Sequence, residues 1–105
     1  MLRTINIDGQ GIRIDMNAGT LRRYRQDIGR DLLIDMVNMG DTLDMLVIEN
    51  LLYITAKTAD PDLPDIDTWL SQFSTFGVYK AAGEIMKIWR EDQKTLSTRK
   101  KKADQ

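Results

Sequence analysis

The 105-residue sequence contains neither cysteine nor histidine. The first absence excludes disulfides, thiolate nucleophiles and cysteine-based zinc sites. The second excludes Ser-His and Cys-His catalysis and the one side chain whose ordinary pKa lies near neutrality. Only two prolines occur, Pro61 and Pro64, so proline breaks the chain in a single place. No stretch approaches the roughly 20 apolar residues of a membrane span, and the first twenty residues hold no apolar core of signal-peptide length. Fifteen basic against sixteen acidic residues leave a net charge of -1, which marks neither a nucleic-acid nor a membrane binder. A soluble intracellular protein of one domain, with no membrane partner, is the expectation.

What is present is a pattern. Residues 2–16 alternate: Ile5 and Ile7, then Ile12, Ile14 and Met16, share one parity within each run. Asp8-Gly9-Gln10-Gly11 between them supplies the turn of a β-hairpin. Asn17 is a candidate cap for a helix over about 18–28, with Leu21, Tyr24 and Ile28 on one face and Gly29 at its end. Asp31 opens a short helix over 31–38. Asp41 or Thr42 is the candidate cap of a helix over 42–59, whose stripe runs Leu43, Leu46, Val47, Asn50, Leu51 and Ile54, broadened by Met45, Ile48, Leu52 and Tyr53. A helix apolar over so much of its circumference is central to a core or covered by a partner. After the Asp60–Pro64 break, helices are expected over 66–75 and 78–95. The single domain then spans 1–96, with 97–105 as a disordered basic tail. The fold class is α+β, mostly α: an N-terminal hairpin followed by four to five helices.

Candidate chemistry is sparse. Asp60, Asp62, Asp65 and Asp67 lack the glycine and distal glutamate of a calcium loop, and read as a solvated loop with a helix cap. Gly9-Gln10-Gly11 leads into a strand and lacks the Lys-Ser/Thr end of a phosphate loop. Asp31 and Asp35, one helical turn apart, read as a wet helix face. No catalytic, cofactor-binding or metal-ligating residue is singled out, and no cofactor is expected. Met36, Met39 and Met45 bracket Gly40 and are the candidate partner-contact residues, because flexible thioethers suit varied apolar partners. Trp69, Phe73, Tyr79 and Trp89 are open between core and interface.

Taken in order, Ile5-Asn6-Ile7-Asp8-Gly9, the second strand ending near Met16-Asn17, Gly19-Thr20-Leu21-Arg22-Arg23-Tyr24, Gly29-Arg30-Asp31, Leu51-Leu52-Tyr53-Ile54-Thr55-Ala56 and Ile66-Asp67-Thr68-Trp69-Leu70 form a series. It resembles the tail assembly chaperones of long-tailed bacteriophages with non-contractile tails and of their prophage relatives. The similarity covers roughly residues 3–95 and rests on element order rather than on one motif. It implies a non-catalytic protein of the host cytoplasm, absent from the mature virion. Its partners by that resemblance are the tape measure protein, the tail tube protein as a further one, and other copies of itself in a homo-oligomer. An alternative is a small helical DNA-binding regulator that uses 31–39 and the following helix as a helix-turn-helix-like pair. Against nucleic acid, Asp41–Asp67 holds seven acids and only Lys57.

Overall fold

A computed structural model describes the backbone of residues 1–103 and the side chains of residues 1–94. Strands β1 (Leu2–Ile7) and β2 (Gln10–Asp15) pair antiparallel, with Ile5 opposite Ile12 and Ile7 opposite Gln10. The turn between them is the two residues Asp8 and Gly9, both at positive φ (55° and 83°). That is the type I′ geometry whose twist suits a hairpin, and it is shorter than the four-residue turn read from the sequence. The Asn6 side chain steadies it by accepting from the Gly9 N–H at 2.9 Å.

Helix α1 (Gly19–Ile28) has Ala18 at its N-cap position rather than the expected Asn17, whose Oδ1 still accepts from the Gly19 N–H at 2.8 Å. Its inner face is Thr20 and Tyr24, while Leu21, assigned to that face from its spacing, is exposed. Helix α2 (Leu32–Met39) starts on Asp31, whose carboxylate accepts from the Ile34 N–H. Helix α3 (Met45–Ala59) is capped by Asp44 rather than by Asp41 or Thr42. Leu43 therefore lies in the loop before the helix and not on its stripe.

The breadth of α3 has its explanation inside the chain. Every residue from Asn50 to Ala56 is buried, and Ile48, Leu51, Leu52 and Ile54 are essentially inaccessible. Each such side chain contributes about 1.5–3 kcal/mol of burial. β2 and α1 pack on α3, and α5 packs on both α3 and β1. The inward face of the hairpin (Ile5, Ile7, Ile14 and Met16) closes the core over these two helices.

The remaining helices are α4 (Ile66–Leu70) and α5 (Thr75–Ala103). α4 ends five residues short of the expected 66–75, and α5 begins three residues before the expected 78. Ser74 causes the early start, its hydroxyl accepting from the Gly77 N–H at 2.9 Å. The expected inner face of α5 holds, with Ala81, Ala82, Ile85 and Ile88 buried and Val78 and Trp89 partly so. At the other end the helix continues through Ala103, where a disordered segment from 97 was expected. After Gly83 it contains no glycine or proline, and Lys, Arg and Gln are good helix formers even without a packed face. Residues 104–105 of that expected tail lie outside the described residues.

Candidate interaction surface

α2 is held by few contacts and flanked by unusual backbone. Gly29, at φ 80°, ends α1 in the left-handed conformation. Gly40 follows α2 at φ 59° and ψ −132°, a region that side chains exclude. Between these points α2 buries only Leu32 and Asp35.

Asp35 is thus a buried carboxylate, only 4% exposed, and not the wet helix face read from the sequence. Its partners explain why burial is tolerated. Arg30 donates through Nη2 at 2.6 Å and through Nε at 2.9 and 3.1 Å, and the Tyr24 hydroxyl donates at 2.9 Å. Arg30 holds the Asp35 carboxyl below the ordinary carboxylate range, against the opposing effect of burial. Burial and the neighbouring Asp35 carboxylate together push the Tyr24 phenol up to about 12. Among the described residues, no buried side-chain polar atom lacks a hydrogen-bond partner. The network fixes the rotation of α2 about its axis: with Asp35 inward, residues 33, 34 and 37 turn outward.

Those three are Leu33, Ile34 and Val37, at 46%, 57% and 79% exposed. Leu43 (44%) and Leu46 (66%) follow in the connection and the first turn of α3. Exposed Asp41 and Asp44 lie between them in the chain. A small domain with a complete core thus leaves five large aliphatic side chains in water along one short segment.

Met36, Met39 and Met45 lie in the same segment but are half-buried, packed against the core cluster. Their neighbours Leu33, Ile34, Val37, Leu43 and Leu46 are more exposed than they are, and the sequence reading did not single those five out. A signal for them existed. Leu32 to Val37 is apolar except at Asp35, and a two-turn helix packed along one side buries only one stripe of such a run. Of the four aromatic residues left open between core and interface, Trp69 is buried, Phe73 and Trp89 are partly buried, and Tyr79 is exposed.

Several other carboxylates serve structure. Asp65 caps α4 through Thr68, and Asp60 accepts from the Asp62 N–H at 3.2 Å. Asp8, Asp31 and Asp65 are all held below the ordinary range, by hydrogen bonds from Ser74, Ile34 and Thr68 respectively. A general acid working near neutrality needs the opposite shift. Among the described residues, no group of three or more acidic side chains is placed to hold a metal ion, and no helix is long and apolar enough to cross a membrane. Comparison with known proteins finds no matching family model, no matching curated protein and no matching solved structure.

Proposed function

We propose that this protein is a tail assembly chaperone of a long-tailed phage or prophage, a non-catalytic binding protein that keeps the tape measure protein soluble while the tail tube assembles around it. The observation that carries the reading is the run of exposed aliphatic side chains Leu33, Ile34, Val37, Leu43 and Leu46, close together in the chain on a domain that has its own buried core. A holding chaperone needs such a face, together with a polar exterior that keeps the loaded complex in solution. The element order that resembles the family supplies the identity of the client. The tail tube protein is a further partner in this reading, and the host cytoplasm is where it acts.

The alternative of a DNA-binding regulator draws less support. Its recognition helix is α3, which is buried along most of its length and capped by acidic Asp44. Its open first turn presents Asp44 and Leu46 rather than groups that read phosphates or base edges.

The test is co-expression with a tape measure protein, the long helical client of this reading. The client is expected in the soluble fraction only when this chain is present, and to copurify with it. A client equally soluble alone, with nothing copurifying, removes the chaperone reading.

A further inference from the structure

Hydrogen-bond parity sorts the backbone groups of β2. Its two-residue turn makes Ile7 and Gln10 a hydrogen-bonded pair, and the Met16 N–H donates to the Met1 carbonyl at 2.9 Å at the other end. Alternation puts Ile5–Ile12 and Arg3–Ile14 in the same class. The N–H and C=O groups of Gly11, Arg13 and Asp15 therefore point away from β1. Among the described residues, no hydrogen bond engages them. Beside this edge lies a cleft of about 430 Å³, bounded by Gly11, Ile12 and Arg13 on one side and by Ala56, Leu63 and Trp69 among others across it. β2 carries no proline or bulge to blunt its edge.

The side chains select what pairs there. Two antiparallel β2 strands bond only where outward residues face outward residues. Arg13 opposite Arg13 brings like charges together, and Gly11 opposite Arg13 gains nothing. Arg13 opposite Asp15, with Ile14 facing its own copy on the two-fold axis, makes two opposite-charge pairs at once. Both groups are available for this. Arg13 has no ion-pair or hydrogen-bond partner among the described residues, and Asp15 uses only Oδ1, to the Met1 ammonium at 3.3 Å. The free edge of β1 offers Leu2, Thr4 and Asn6, with no charge to set a register.

We infer that two copies of this chain join edge to edge through β2, in the register Arg13–Asp15, to form one four-stranded antiparallel sheet. The resemblance already implies a homo-oligomer; the edge and the register are what the strand geometry adds, and they do not depend on the identity of the client. Light scattering over a dilution series is expected to give twice the 12.1 kDa chain mass at high concentration. Arg13→Asp breaks no hydrogen bond or ion pair within the chain, so it should weaken the dimer by about tenfold or more with an unchanged far-UV CD spectrum. Arg13→Asp combined with Asp15→Arg restores the pairs with reversed polarity and should recover the dimer. Because the chain has no native cysteine, oxidising a mixture of Arg13→Cys and Asp15→Cys chains should cross-link them to each other, and neither to itself. A wild-type chain that stays monomeric throughout the series overturns the inference. So does an Arg13→Asp chain that dimerises like wild type, or an Arg13→Cys chain that cross-links readily with its own kind.

Discussion

Gly77 shows how one missing methyl group fixes the position of the hairpin. It sits in the first turn of α5, and a Cβ there would run into the Asp8 carboxylate. That carboxylate is pinned, accepting from both the Ser74 N–H and the Ser74 hydroxyl at 2.6 Å. The hairpin tip and the start of α5 are thereby joined across most of the chain. Gly83, two turns on in the same helix, has open space around its α-carbon. Gly83→Ala is expected to stabilise by about 0.5–1 kcal/mol, the ordinary gain of alanine over glycine within a helix. Gly77→Ala should fall about 1–3 kcal/mol below it, since the same gain is opposed by overpacking against a fixed group. Asp8→Gly added to Gly77→Ala, at a residue whose positive φ suits glycine, should close much of the gap. Thermal denaturation of the three variants reads this directly. Equal melting temperatures for the two alanine variants would show that the Asp8–Ser74 contact yields freely. This pairing was not legible in the sequence, because nothing in Asp8-Gly9 or Phe76-Gly77 announces a partner so far along the chain. Asp35 escaped for a related reason: a carboxylate one turn from Asp31 reads as solvent-facing until Arg30 and Tyr24 are seen to converge on it.

Among the elements, the hairpin and the helices were largely legible, because their signals are local. Alternating isoleucines, asparagine and aspartate caps and terminal glycines act within a few residues of themselves. The misplaced start of α3 has a local cause, a choice among several capping residues. Asp41, Thr42 and Asp44 can each start α3, and the packing of Val47 and Ile48 on the core decides for Asp44. The basic end of α5 makes a different point: a run of Lys and Arg with no apolar stripe in its sequence can still be helical. α2 is the element on which the functional reading depends, and its two sides separate two outcomes. Ile34→Asp and Val37→Asp change side chains that are mostly in water, so the fold should persist while client binding falls. Met36→Gln and Met39→Gln reach into half-buried space and should cost about 0.5–3 kcal/mol of stability. Thermal melts together with the amount of client copurified distinguish the sides. Wild-type client recovery by Ile34→Asp and Val37→Asp chains would move the binding surface off α2.

At the scale of the whole molecule, stability should respond to pH only at the extremes, and the sequence already contains the reason. With no histidine, no side chain titrates at its ordinary value between about pH 5 and 8. The clear shifts then set both limits. Arg30 holds Asp35 below its ordinary value, as Ser74, Ile34 and Thr68 hold Asp8, Asp31 and Asp65. A carboxylate whose folded pKa is depressed contributes stability that is fully present above its unfolded value, about 3.9 for aspartate, and is lost as pH falls through the folded one. Asp35 matters most of the four because its carboxylate is buried, and protonation disrupts its ion pair with Arg30, whose guanidinium is largely exposed. Tyr24 sets the alkaline limit with the opposite sign. Its folded pKa of about 12 lies above the ordinary phenol value, so its contribution is complete below about pH 10 and is lost as pH rises through about 12. Urea midpoints measured from pH 3 to pH 11 should therefore form a plateau with an acid shoulder and an alkaline one. In Asp35→Asn the acid shoulder should shrink on a lowered plateau. In Tyr24→Phe the alkaline shoulder should shrink while the acid one remains. Because Tyr24 and Asp35 together set the rotation of α2, either variant should also loosen that helix before α3, which hydrogen exchange can follow residue by residue. Equal protection of α2 and α3 in both variants would mean that α2 opens only when the whole domain unfolds.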